Sequence, residues 1–323
     1  MIHLREDVVI HPIIVPTKYS LKSFNFYLIE DQNDLTLIDA GINTDECWEY
    51  FNNTLTKNGF NIRDLTRIIL THNHEDHVGL VNRITAVKDL PIYAHEESII
   101  RLKRDRDYFS LRIEFFDQLY REMGCGESGI QYIEKLRKVK NEKENHVLQG
   151  DIIPIAEGDI ISGLQVIETP GHSPDHVVLL HPQSKILFGG DHLVGHISSN
   201  AIVEPDRIGN RMLTLKAYLK SLQKCLDFDI KTVYSGHGEE INNPQELIKH
   251  RIDRIHQKSN KILNLIKEGL PTASQIAQAF YKGKYRTEFS LVMSEIIGHI
   301  DYLELLNKVN KEKKDGVWHY SAR

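Results

Sequence analysis

Three short runs near the start of the chain, Val8 to Val15, Ser23 to Ile29 and Leu35 to Ile38, are apolar or alternate apolar with polar residues. A period of two between turn residues predicts successive strands of an antiparallel meander. Asp31-Gln32-Asn33-Asp34 forms the turn between the last two. The period then lengthens. Cys47, Trp48, Phe51 and Leu55 recur at helical spacing, with Thr44 placed to cap a helix running to about Asn58 and Gly59 at its end. Ile68-Ile69-Leu70 reads as a buried strand, Val78 to Ile84 has helix-compatible spacing, and Pro91 to His95 predicts another strand.

From Glu97 to about Arg137 the chain turns helical and highly charged, with an apolar stripe of Leu111, Phe115, Phe116, Leu119 and Met123 broken by Gly124-Cys125-Gly126. Residues 141–145 read as a solvated linker. Strands resume at Asp151 to Pro154 and Ile160 to Ile167, and Val177 to Leu180 with Lys185 to Phe188 predict a hairpin around His181-Pro182-Gln183-Ser184. A helix over about Thr214 to Cys225 and a strand over Ile230 to Tyr234 follow. Beyond Asn242-Asn243-Pro244 the pattern is helical: Gln245 to Lys267, a short helix through Phe280 capped by Thr272 or Ser274, and Ser290 to Val309. Lys311 to Gly316 reads as a polar turn before a strand over Val317 to Tyr320.

Composition narrows this picture only slightly. The 323 residues suffice for one large domain and a small one, and the formal charge of −5 names no partner. Residues 245–323 carry 14 Lys and Arg against 9 Asp and Glu, so the tail is basic and the rest acidic. Cys47, Cys125 and Cys225 are odd in number, far apart and without a CxxC pair, which argues against a disulfide framework and fits a reducing cytosol. The N-terminal Met1 to Asp7 lacks the charged start and apolar core of a secretory signal, and no apolar run approaches the ~18 residues of a membrane span. The expected location is cytoplasmic, with no membrane partner.

The candidate chemistry is concentrated in Thr71-His72-Asn73-His74-Glu75-Asp76-His77-Val78-Gly79. It lies where a strand gives way to a helix, a usual place for a site on an α/β sheet. Two residues apart on extended backbone, His72 and His74 point to one face. Asp76 and His77 need the chain to turn and reach a second point nearby, which suits two adjacent metal ions better than one. Imidazole and carboxylate are ligands of zinc, and also of iron and manganese. The other reading, a His-rich surface loop, sits poorly with the matching ligand types further along the chain.

This stretch resembles the His-X-His-X-Asp-His signature of the metallo-β-lactamase-fold hydrolases. Thr169-Pro170-Gly171-His172-Ser173-Pro174-Asp175-His176, Phe188-Gly189-Gly190-Asp191 and Tyr234-Ser235-Gly236-His237-Gly238 resemble the family's later motifs, in order. The resemblance implies an αββα sandwich and two divalent metal ions, zinc first, with iron or manganese as alternatives. His72, His74 and His172 would hold one ion, and Asp76, His77 and His237 the other, with Asp191 shared. The flavodiiron branch has Glu where His74 stands, so the likeness is to the hydrolase branch. Asp39 is expected to support the histidine loop from behind, and His176 is expected to support rather than ligate. His95 matches no motif position.

The implied organisation is a catalytic domain over 1–244, with a helical insert over about 97–145 serving as an active-site lid or an interface. Residues 245–323, helices followed by a hairpin, resemble a winged-helix module. The implied reaction is hydrolysis by a bridging hydroxide, with Asp76 and Asp191 as the catalytic carboxylates. The first substrate class is a small ester, thioester or lactone, although Val194 stands where acyl-homoserine lactonases of this fold carry Tyr. Glyoxalase II-like enzymes have a C-terminal pattern that this chain does not match. The alternatives are an endoribonuclease or phosphodiesterase on single-stranded nucleic acid, which the layout of Gly190 to His196, His250-Arg251 and the tail resembles, and a mononuclear iron persulfide dioxygenase. A DNA-binding protein with structural metals is a third class, and a homo-oligomer is a further partner expectation.

Overall fold

Alternating side chains decide the layers. In Ser23–Asp31, Phe26 and Leu28 face one apolar cluster while Tyr27 and Ile29 face another, as the period of two on a strand requires. The computed structural model describes every residue except 1, 6, 7, 32, 33 and 143–146. Its first sheet contains β1 (Ile2–Arg5), β2 (Val8–Pro16), β3 (Ser23–Asp31), β4 (Asp34–Ile38), β5 (Arg67–Ile69), β6 (Ile92–His95) and β7 (Ile152–Ile155), side by side in chain order. The strands up to β4 pair antiparallel, as the meander predicts, and those from β4 to β7 pair parallel. The tip of the predicted turn at 31–34 lies outside the described residues.

The second sheet runs β12-β11-β10-β9-β8, from β8 (Ile160–Ile161), β9 (Leu164–Glu168), β10 (Val177–His181), β11 (Ile186–Gly190) and β12 (Thr232–Ser235). The β10–β11 hairpin pairs antiparallel, and β12 joins β11 in parallel. Ile10, Tyr27 and Ile69 from the first sheet meet Val166, Leu179, Phe188 and Tyr234 from the second. On the outer face of the first sheet lies α1 (Asp45–Lys57), which Thr44 caps by accepting from the Cys47 N–H and which buries Phe51 and Leu55 against Phe26 and Leu37. Each such side chain removed from water is worth ~1.5–3 kcal/mol. The order is helix, sheet, sheet, helix.

The histidine stretch forms α2 (Glu75–Val78), followed by α3 (Val81–Thr85). The insert is α4 (Glu96–Leu102), α5 (Arg106–Glu122) and α6 (Gly126–Glu142). The expected linker at 141–145 is therefore helix at its first two residues, and the remainder lies outside the described residues. After α7 (Thr214–Cys225), which covers the second sheet with Tyr218 and Leu222, the tail comprises α8 (Pro244–Lys267), α9 (Ala273–Tyr281), α10 (Lys284–Thr287) and α11 (Phe289–Leu305). Thr272 rather than Ser274 caps α9, in a reciprocal capping box with Gln275.

The antiparallel strands β13 (Val309–Lys314) and β14 (Val317–Ala322) end the chain. Here the sequence reading needs two corrections. Lys311 to Lys314 is strand rather than turn, and α11 stops at Leu305 rather than Val309. A solvated two-stranded ribbon tolerates charged side chains, so polarity alone did not mark the turn. The actual turn is Asp315-Gly316, with φ of 48° and 82°, the two positive values of a tight type I′ hairpin.

One apolar cluster joins Phe116 and Tyr120 of α5, Ile133 of α6, Ile262 of α8, Ile276 of α9 and Ile296 of α11. Insert and tail thus share a core apart from those of the sandwich. Among the described residues no helix is long and apolar enough to cross a membrane.

Candidate metal centre

The candidate ligands follow strand ends, with Asp76 and His77 on the short helix α2 that continues the loop after β5. Residues 70–74 follow β5, Thr169 to His176 joins β9 to β10, Asp191 follows β11, and His237 stands two residues after β12. The parallel strands β5, β11 and β12 deliver their groups to one edge of the sandwich, where open α/β sheets hold their sites.

Two glycines show how tightly the loops close. A Cβ on Gly236 would stand 2.5 Å from the His77 ring and 2.8 Å from Asp191 Oδ1. One on Gly171, whose φ is +143°, would stand 2.4 Å from the Tyr218 backbone. Both positions need glycine for close approach.

The polar atoms converge in two groups. His72 Nε2 lies 3.0 Å from His74 Nδ1, which lies 3.0 Å from His172 Nε2. His172 Nε2 is 3.4 Å from Asp191 Oδ2. The other oxygen, Oδ1, faces His77 Nε2 at 3.2 Å and His237 Nε2 at 3.1 Å, and Asp76 Oδ2 is 3.5 Å from His237 Nε2. His72, His74, His172 and Asp191 form one cluster of ligand atoms within 4.8 Å of one another, and Asp76, His77 and His237 form a second. Asp191 turns one oxygen to each group.

The outward ring nitrogens have their own partners, which decides which nitrogen points inward. His77 Nδ1 donates to Asp39 Oδ2 at 2.8 Å, and Asp39 also accepts from the Thr71 N–H at 2.8 Å and from its hydroxyl. His237 Nδ1 donates to the Ser23 carbonyl at 2.8 Å. His172 Nδ1 donates to the Asn200 carbonyl at 2.9 Å and lies 3.0 Å from Ser199 Oγ. The structure places His176 outside both clusters, where its Nε2 accepts from the Asp191 N–H at 3.1 Å. His95 is remote from them; it caps α4 and faces Glu168.

The electrostatics suit a cation. Burial and neighbouring imidazoles hold His72 and His176 well below the ordinary histidine range, and burial pushes His172 down to about 4. These rings are therefore neutral, with lone pairs available. Burial also pulls on His77 and His237, but Asp191 beside both, with Asp39 at His77, outweighs it and raises them. Burial likewise opposes ionisation of Asp191, yet His77 and His237 hold its carboxyl well below the usual range.

Without an ion the raised His77 and His237 supply the positive charge beside Asp191, and a bound cation would take the place of their protons. His77 Nε2, His237 Nε2 and Asp191 Oδ1 are buried and accept or donate no hydrogen bond, a costly state unless something else is bound there. Ligands ~2.0–2.1 Å from one ion at a tetrahedral angle stand about 3.3–3.4 Å apart. The observed 3.0–3.5 Å spacings are close to that separation. The residues present fit divalent metal ions.

Several supporting groups carried no signal of their own in the sequence. Buried Asp175 accepts from Asn73 of the histidine loop at 2.7 Å and from Ser98 of α4 at 2.5 Å, tying both to the His172 loop. Asp175 and Asn73 both lie inside the motifs, but nothing in the sequence pairs them with each other or with Ser98. Beside the clusters opens a cleft of about 420 Å³, floored by His74 and His172 and walled by Arg101, Tyr108, Phe109 and Arg112 of the insert. Arg112 is paired with Glu204 across it.

A helix-flanked double sheet that gathers imidazoles and carboxylates at one edge is the arrangement of a metal-dependent enzyme. Residues 24–237 match the model of the Metallo-beta-lactamase superfamily. The chain is 32% identical over 304 residues to the probable metallo-hydrolase YqjP of Bacillus subtilis (strain 168), covering 93% of this chain and 92% of that one. It is 25% identical to an atrochrysone carboxyl ACP thioesterase of Pseudocercospora fijiensis (strain CIRAD86), over 87% of this chain and 64% of that protein. Its fold superposes on a metallo-beta-lactamase family protein from Thermus thermophilus with a TM-score of 0.81 at 23% identity, covering 99% and 100% of the two chains. The chain belongs to the Metallo-beta-lactamase superfamily and is a metal-dependent hydrolase.

Proposed function

We propose that the chain holds two divalent metal ions, zinc first and iron or manganese as alternatives, and hydrolyses a small ester, thioester or lactone. His72, His74 and His172 take one ion and Asp76, His77 and His237 the other, with Asp191 between them. The observation that carries this reading is the split of the Asp191 carboxylate, Oδ2 toward His172 and Oδ1 toward His77 and His237. When bound, the ions supply an activated water near neutral pH and an electrophilic contact for the substrate's acyl oxygen.

The chain's own residues orient and exclude. Asp39, Ser23 and Asn200 fix the ring orientations, and His176 holds the Asp191 backbone. Asp76 is the more open of the site's two carboxylates, with its side chain 21% exposed against 12% for Asp191. It stands where it can pass a proton to a leaving group. The cleft's volume of about 420 Å³ is in the usual range for small-molecule sites, and α4 and α5 wall it as a lid would. Among the three acyl classes, a relative named as a thioesterase favours the thioester.

We read residues 245–323 as a winged-helix-like module, a reading supported by the order of helices followed by the β13–β14 hairpin. It packs against the insert through the core shared by α5, α6, α8, α9 and α11.

Turnover of p-nitrophenyl acyl esters, N-acetylcysteamine acyl thioesters, lactones, bis(p-nitrophenyl) phosphate and labelled single-stranded RNA, alongside elemental analysis, tests the proposal. The expected result is metal-dependent turnover of acyl substrates. Cleavage confined to RNA with steep salt dependence, or oxygen uptake with one iron per chain, would replace it with one of the alternatives.

A further inference from the structure

The backbone that follows Asp191 is pinned carbonyl by carbonyl. The Tyr218 hydroxyl on α7 donates to the His192 carbonyl at 2.9 Å, and the Ser235 hydroxyl to that of Leu193 at 2.6 Å. Arg251 on α8 then takes over. Its Nη2 donates to the carbonyls of Val194, Gly195 and Ile197 at 3.0, 3.0 and 2.8 Å, and its Nη1 donates to Ser198 Oγ at 3.2 Å. The next two residues are Ser199 and Asn200, whose hydroxyl and carbonyl face His172 Nδ1. One tail side chain therefore fastens the strap between Asp191 and the groups that aim His172.

We infer that Arg251 is a positioning residue for the metal centre, through which the tail sets the aim of His172. This rests on the metal-site reading above. The partners of the guanidinium in this network are neutral carbonyls and a hydroxyl, so here its charge serves geometry. The three carbonyls converge on Nη2 while Nη1 reaches Ser198, a division between two nitrogens that the single Nζ of lysine does not reproduce. Arg251 does not line the catalytic cleft, so its loss acts on metal binding and kcat rather than on KM.

The test uses the full chain with Arg251→Gln and Arg251→Lys, and with Arg254→Gln, an exposed neighbour on the same helix, as the control. Cobalt(II) is titrated into metal-free protein while the visible ligand-field spectrum is followed. Loss of an outer support typically weakens metal binding by about 10- to 100-fold. That loss is expected in Arg251→Gln, with an altered cobalt spectrum, a lower kcat and a KM within about twofold of wild type. Arg251→Lys, which keeps the charge and the stem, should recover only part of it, and Arg254→Gln should match wild type.

Hydrogen exchange of amides 192–201 in the metal-free protein supplies a readout independent of metal. It should accelerate in Arg251→Gln. An unchanged cobalt spectrum and affinity in both Arg251 variants overturns the inference, even if their melting temperature falls. Should wild type bind no cobalt, the metal reading fails, and unchanged exchange in the strap then overturns the role of Arg251 separately.

Discussion

The sandwich and the half formed by insert and tail are assembled by different rules. In the sandwich, strand alternation assigns residues to a layer, and the loops after β5, β9, β11 and β12 each carry a piece of the site, from His72 to His237. In the other half, Phe116, Ile133, Ile262 and Ile296 come together from helices far apart in sequence, and their shared core contains none of the candidate ligands. Chemistry in this fold is local to strand ends. The surrounding half acts on it through the cleft wall of α4 and α5, the Ser98–Asp175 tie and the Arg251 strap. Substitutions in the sandwich edge should therefore remove metal, and substitutions in the shared core should remove stability.

The largest effect should come from the shared carboxylate. Asp191→Ala is expected to lose metal and activity together, by at least about 10³-fold in kcat/KM. A variant that keeps its metal and normal turnover would break the division at its centre.

How much of this was legible depends on whether the signal was carried by residue type. His72, His74, Asp76, His77, His172, Asp191 and His237 announced themselves because imidazoles and carboxylates at those spacings are rare outside metal sites. Strand alternation and the Thr44 cap likewise revealed the meander and α1. The supports of His172 and His237 were illegible because they are main-chain carbonyls of Asn200 and Ser23, which any residue supplies. Arg251 was noted only within the His250-Arg251 pair, and its contacts stayed hidden for the same reason, since its acceptors are mainly carbonyls more than 50 positions away. The β13 strand was misread because four of its six residues are charged and its hydrogen bonds, not its burial, define it.

The shared core's side of the comparison is sharpened by pH. Burial pushes His299 on α11 down to about 4 from an ordinary 6.5, with Lys258 adding to this and Glu295 opposing it. A depressed imidazole stabilises the fold fully above its unfolded value and loses that contribution as pH falls from 6.5 towards 4. The loss should total about 3 kcal/mol. Urea unfolding of wild type and His299→Gln between neutral and acid pH measures it, and parallel pH profiles for the two would contradict the assignment.

Next in size is Asp39→Asn, which leaves His77 Nδ1 without a charged acceptor. It should weaken metal binding by about 10- to 100-fold in chelator competition while the sandwich stays folded. Unchanged affinity would remove Asp39 from the support of His77. The smallest effect expected is Gly316→Ala at the tip of the β13–β14 turn, where φ is +82°. It should cost about 1 kcal/mol in unfolding without touching metal content. A matching loss of metal would show that the two halves are not separable in this way.

The most direct measurement is the metal content of the purified full chain, by elemental analysis after exhaustive dialysis, with turnover assayed on the same sample. About two divalent ions per chain, removed by chelator together with acyl hydrolysis and restored with it, is the predicted result. Acyl hydrolysis that continues undiminished in metal-free protein would contradict the account.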